Sequence, residues 1–173
     1  ACNVLDQKAD LGVMITASHN PWEDNGIKLF NAKGSKLSDQ EQQILQRNIG
    51  REEKKQKGVV TTHPNPQNSW ISRLPVIDLT GWKILLDCAH GALSPFGEDI
   101  LKSLGAKVIS IAAQPNGRNI NDGVGALHPP TDLMGCDIAL CFDGDADRII
   151  MVTPEQGMID GDDYLWLLRN QIE

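Results

Sequence analysis

The chain has 173 residues, 40% hydrophobic and 23% charged, with 23 Asp and Glu against 16 Lys and Arg for a net charge of −7. That length and composition describe a folded soluble protein of one domain, or of one domain and part of another, and exclude a disordered chain. No apolar run approaches the ~18 residues of a membrane helix, Ala1 to Asp10 lack the layout of a secretion signal, and a pI near 5.0 without a basic stripe excludes a nucleic-acid surface.

Residues 2–9 read as the end of a helix, followed at once by an apolar strand, Gly12 to Thr16. A loop of small and turn-forming residues, Ala17 to Gly26, leads to a short strand from Ile27 to Phe30, with Asn25-Gly26 as a strong turn signal before it. Asn31 to Gly34 form the next turn. Ser38 then caps a helix to about Ile49, with Glu41 completing a capping box and Gly50 as its stop. Arg51 to Lys57 interleave basic and acidic residues, as a solvated helix end does, and from Lys54 to Thr80 the pattern dissolves into polar residues broken by Pro64, Pro66 and Pro75.

Beyond this stretch the alternation is βαβ. Lys83 to Cys88 is a buried strand, Ser94-Pro95 cap and start a helix to Leu104, and Lys107 to Ala112 is the next strand. After a polar loop, Asp137 to Phe142 and Ile149 to Thr153 read as further strands. A turn at Pro154 to Gly157 leads into Met158-Ile159, and Asp160 with Asp163 caps a closing helix. The fold class expected is α/β, with mixed, largely parallel sheets and helices packed on them. Cys2, Cys88, Cys136 and Cys141 have no CxxC spacing and sit mostly in apolar segments, which fits a reduced, cytoplasmic chain.

Two segments carry chemistry. Asp143-Gly144-Asp145-Ala146-Asp147-Arg148 leaves the carboxyl end of a buried strand, where ligands of open α/β sheets sit. Three carboxylates at alternate positions repel one another unless a cation compensates, and an oxygen-only set suits a hard ion such as Mg²⁺. An EF-hand is excluded because Arg148 stands at its glycine position and Pro154 at its final glutamate. Arg148 adds a fork of donors for phosphate. In Thr16-Ala17-Ser18-His19-Asn20-Pro21, Ser18 is a candidate nucleophile or phosphate carrier, His19 a candidate acid/base or hydrogen-bond donor, and Lys28 a cation ten residues on.

TASHNP followed by DNGIK, and then DGDADR, make the chain resemble the α-D-phosphohexomutase superfamily. The resemblance implies that Ser18 carries a phosphoryl group exchanged with a phosphosugar through a sugar bisphosphate intermediate. It implies that Asp143, Asp145 and Asp147 with a phosphoserine oxygen hold Mg²⁺, that Arg148 contacts the same phosphate, and that His19 and Lys28 act as acid/base or positioning groups. Leu86 to Ala92, Leu104 to Ala106 and Pro115 to Asn121 leading to Val124-Gly125-Ala126 look like the phosphoglucosamine mutase branch, whose substrate is glucosamine 6-phosphate. The last of these segments is expected to lie away from the reacting groups. Phosphoglucomutase or phosphomannomutase activity, a DxD phosphatase and a non-catalytic metal-binding relative are the rival readings.

On this resemblance, residues 1–62 are the latter part of the family's first domain, 63–80 a linker, and 81–173 the second domain with the start of a connection to a third. The third and fourth domains have no counterpart here, so the expectation is an incomplete enzyme, inactive alone. Two departures from the family carry structural expectations. Ala146 replaces a frequent glycine, so its φ should be negative. Only Thr131 to Asp137 stand where the family fits a helix, and Pro129-Pro130 oppose one.

Overall fold

The computed structural model describes residues 1–50 and 58–169, so the segment from Arg51 to Lys57 lies outside the described residues. Its contacts divide the chain into two units, Ala1–Ile15 with Ile27–Pro75 and Thr16–Gly26 with Val76–Glu173. Residues 16–26, expected with the first domain, make their contacts in the second unit.

The first unit contains α1 (Cys2–Asp6), most of β1 (Leu11–Thr16) and of β2 (Gly26–Asn31), α2 (Asp39–Asn48) and α3 (Asn68–Ile71). Strands β1 and β2 form a two-stranded sheet. Both halves of the Ser38–Glu41 capping box are present at the start of α2, which satisfies two of the helix's orphan amides. Helix α3 lies inside the stretch expected to be a linker. Arg73 Nη2 donates to Asp6 Oδ1 at 2.7 Å just past it, and Ser69 Oγ donates to the same carboxylate. The Arg73 guanidinium and the Ser69 hydroxyl hold the Asp6 carboxyl below its ordinary pKa.

The second unit is built on a five-stranded sheet in the order β4-β3-β5-β6-β7, made of β3 (Lys83–Asp87), β4 (Lys107–Ile111), β5 (Ile138–Phe142), β6 (Ile149–Thr153) and β7 (Gly157–Ile159). The parallel pairing is confined to β4-β3-β5, and β5-β6-β7 is an antiparallel meander. Ladder pairing runs to Phe142 and Ile149, and the residues between them are far too few for a parallel crossover. One face of the sheet buries Leu85, Ala139, Cys141 and Val152, the other Leu86, Cys88 and Leu93 with Leu140 and Phe142. Burial pushes the thiols of Cys88 and Cys141 up to about 12, which makes them inert small apolar side chains.

Helix α4 (Gly97–Ser103) starts later than Ser94-Pro95 implies. Successive turns from Gly91 to Phe96 use the preceding amides, Phe96 is the cap residue without a side-chain acceptor, and Glu98 and Asp99 supply negative charge to the first turn. No helix covers Thr131 to Asp137. Leu133 and Cys136 pack directly on the Leu85 face in its place. Asp160 and Asp163 form the capping box of α5 (Gly161–Leu168), and among the described residues no helix is long and apolar enough to cross a membrane.

Candidate metal and phosphoryl-transfer site

Strand β3 lies between β4 and β5, so the chain reverses its direction of winding between β3 and β5. Loops leaving the carboxyl ends of two such strands diverge and open a crevice. The residues closing those ends are Asp87 and Asp143, each 1% exposed.

Residues 143–148 form a tight hairpin loop. Ala146 N–H donates to the Asp143 carbonyl at 3.0 Å, and Arg148 N–H donates to Asp143 Oδ1 at 3.2 Å. Closing the loop this way puts Ala146 at φ +58°, against the negative φ expected from its residue type. The hairpin sets the backbone, and the methyl group is accommodated because it packs with the Leu86 cluster. Carboxylate oxygens of Asp143, Asp145 and Asp147 all lie within 4.8 Å of one another. Burial pushes the Asp143 carboxyl above its ordinary pKa, and repulsion from Asp145 and Asp147 adds to the shift. Its Oδ2 is buried and accepts no hydrogen bond among the described residues. A buried carboxylate oxygen without a donor, facing a cluster of like charge, is what a hard divalent cation would satisfy, so the residues fit Mg²⁺.

Ser18 lies two residues beyond β1 at φ +53°, with its N–H donating to Thr16 Oγ1 at 2.8 Å. Its carbonyl accepts from Gly144 N–H at 3.1 Å, which ties the Ser18 loop to the residue after Asp143. The contact depends on glycine. A Cβ on Gly144 would lie 2.5 Å from the Ser18 oxygen, and one on Gly91 would lie 2.2 Å from the Gly144 oxygen. Ala92 N–H donates to that same Gly144 oxygen at 2.8 Å. His19 is half-buried, and its Nδ1 is buried without a hydrogen-bond partner among the described residues. Arg148 is exposed, its Nε 4.0 Å from an Asp147 oxygen. Lys28 is half-buried on β2 and belongs to the first unit.

Asn121 is the residue that sequence reasoning misplaced. It belongs to the segment expected to lie away from the reacting groups, yet its Nδ2 donates to the carbonyls of Ser18 and Asn20, each at 2.8 Å. Arg118 of the same segment stacks over Trp22, 5.4 Å from the ring centroid. Asp87 accepts from Ala89 N–H at 2.9 Å and Gly125 N–H at 2.8 Å, and Asn121 N–H donates to the Ala89 carbonyl at 3.0 Å. An asparagine flanked by turn residues was the available signal, because asparagine tolerates the left-handed backbone that Asn121 adopts at φ +58°.

The chain matches two family profiles, phosphoglucomutase/phosphomannomutase alpha/beta/alpha domain I over residues 1–56 and domain II over residues 68–157. It is 38% identical to a phosphoglucosamine mutase of Methylobacillus flagellatus over 95% of its own length and 39% of the relative's. It is 39% identical to a phosphoglucosamine mutase of Geobacillus thermodenitrificans over 95% of its own length and 40% of that relative's. The chain thus spans about two-fifths of the length of the curated relatives it matches. A crystal structure of a putative phosphomannomutase from Thermus thermophilus superposes with a TM-score of 0.75 at 25% identity, covering 97% of this chain and 43% of that one.

Proposed function

The chain belongs to the phosphoglucomutase/phosphomannomutase family, and from that premise we propose that it carries the phosphoryl-transfer core of a cytoplasmic phosphosugar mutase acting between glucosamine 6-phosphate and glucosamine 1-phosphate. Such an activity feeds amino-sugar precursors of the bacterial cell wall. The observation that carries the reading is the hydrogen bond from Gly144 to the Ser18 carbonyl, which ties the candidate phosphoryl carrier to the residue after Asp143.

Ser18 holds the phosphoryl group on Oγ. A sugar hydroxyl attacks phosphorus, the bond to Ser18 Oγ breaks as the bond to the sugar oxygen forms, and a sugar bisphosphate results. The phosphate that the substrate brought is then transferred to Ser18 Oγ, its bond to the sugar oxygen breaking as the bond to Ser18 forms, and that sugar oxygen takes up a proton. The attacking hydroxyl loses a proton, for which His19 and Lys28 are the acceptors proposed. Arg148 pairs with phosphate oxygens through its fork of donors. Asp143, Asp145 and Asp147 hold Mg²⁺, whose contribution when bound is to neutralise charge on the phosphoryl oxygens. Without a cation, a phosphoserine of about −1.5 to −2 charges would face three carboxylates.

The 38–39% identity to phosphoglucosamine mutases supports glucosamine as the sugar, and turnover of glucosamine, glucose and mannose phosphates by the full-length protein tests that choice. The test of the core reading is intact-mass spectrometry after incubation with a sugar bisphosphate. The expected result is a phosphoryl increment in the wild type that is absent from Ser18→Ala. An increment that survives the substitution overturns the assignment.

A further inference from the structure

Asn121 is 9% exposed and sits in left-handed backbone at φ +58°, which asparagine adopts more readily than most residues. The surroundings here form a continuous network. Asp87, at the end of β3, fixes the amides of Ala89 and Gly125, and the Ala89 carbonyl fixes the Asn121 amide. Both protons of the Asn121 carboxamide then go to one loop, on the carbonyls of Ser18 and Asn20 that flank His19. Gly144 supplies the second donor to the Ser18 carbonyl, so both acceptor positions of that oxygen are engaged. The Ser18 main chain is therefore pinned from the β3 end by Asn121 and from the β5 end by Gly144.

We propose that Asn121 is a positioning residue for phosphoryl transfer, fixing the Ser18–His19 and Asn20–Pro21 peptides so that Ser18 Oγ keeps one place in both halves of the exchange. The inference rests on the mutase reading above. The hydrogen bonds of Asn121 go to main-chain carbonyls, so it acts on the transfer step through loop geometry, and a misplacement of about 1 Å costs on the order of a hundredfold in rate.

The test uses Asn121→Gly in the full-length protein, because glycine keeps the left-handed backbone while removing the carboxamide and its two donors. The expected result is a fall in kcat of about ten- to a hundredfold with KM within about twofold of wild type. Hydrogen exchange in the peptide spanning residues 16–22 should also speed up, while the β3 peptide, residues 83–87, stays protected. Asn121→Asp, the same size but with acceptors facing the two carbonyls, should lower kcat at least as far. A wild-type kcat in either variant overturns the proposal. So does a variant that loses β3 protection along with the loop, since Asn121 would then be a general support of the fold. Ser18→Ala in the same assay separates the two levels: turnover that survives it sinks the mutase reading itself, whereas an inactive Ser18→Ala beside a fully active Asn121→Gly sinks only the role of Asn121.

Discussion

The Gly144 amide donates to the Ser18 carbonyl at 3.1 Å, and on its other side the Gly144 oxygen accepts from Ala92 N–H at 2.8 Å. A single residue thus joins the Ser18 loop, the acidic loop and the loop after β3. Gly91→Ala would press a methyl group onto Gly144 backbone atoms, the nearest at 2.2 Å, whereas Gly144→Ala would meet the Ser18 oxygen at 2.5 Å and the movable Ile120 side chain at 2.6 Å. Gly161 has nothing within 4 Å of its ideal Cβ. Urea unfolding should rank the variants G91A below G144A, with both losing more than about 2 kcal/mol and G161A within about 0.5 kcal/mol of wild type. A neutral G91A would contradict the close approach.

Metal binding should stabilise the fold through Asp143. At a Mg²⁺ concentration about 100 times its Kd, the unfolding free energy should rise by about 2.7 kcal/mol, and the rise should disappear in Asp143→Asn. Thermal melts with and without Mg²⁺ make the measurement. Equal stabilisation of the variant would remove Asp143 from the cation site.

Ala146 at φ +58° should be improved by glycine. Left-handed backbone costs a non-glycine residue about 1–2 kcal/mol, and the methyl packing against the Leu86 cluster returns about 0.8 kcal/mol, so A146G should gain a few tenths to about 1 kcal/mol. A146V, branched at Cβ, should lose more than about 1 kcal/mol. Denaturation midpoints of the pair test the sign, and a destabilised A146G would show that the methyl contact outweighs the backbone.

Burial lifts the Asp87 carboxyl above its ordinary pKa, with the Ala89 and Gly125 amides opposing the shift. The fold then holds that proton more tightly than the unfolded chain does. Stability from Asp87 is therefore complete below the ordinary carboxylate pKa and is lost as pH rises through the raised folded value. Asp87→Asn removes this titration and one of the two acceptors, at a cost of about 1–3 kcal/mol. Its deficit relative to wild type should shrink as pH rises from about 4 to 7. A deficit that grows over that range would reverse the sign assigned to Asp87.

Much of this was legible in the sequence because the signals were local. The apolar runs marked four of the five strands of the larger sheet, with β7 read only as the residues a turn leads into, and the Ser38–Glu41 and Asp160–Asp163 boxes marked two helix starts to the residue. The three aspartates of DGDADR come together, as their alternation implied. What the sequence hid was non-local. The partners of Asn121 lie 103 and 101 residues away, so nothing near it reveals them. Ala146 takes its φ from the hairpin that closes on Asp143, against the preference of its own side chain. The antiparallel turn at β5-β6 was readable in principle, since the short span from Asp143 to Arg148 cannot carry a crossover.

That separation of 103 residues also sets an order of events for a growing chain. Ser18 leaves the ribosome before the side chain that fixes its loop, which is made only after β3 and β4 have emerged, and Gly144 follows later still. Closing so long a loop costs entropy that local structure cannot offset, so the Ser18 loop takes its final geometry only once residue 144 has been made. Synthesis halted before residue 121 therefore yields a chain with the TASHNP sequence but without its architecture.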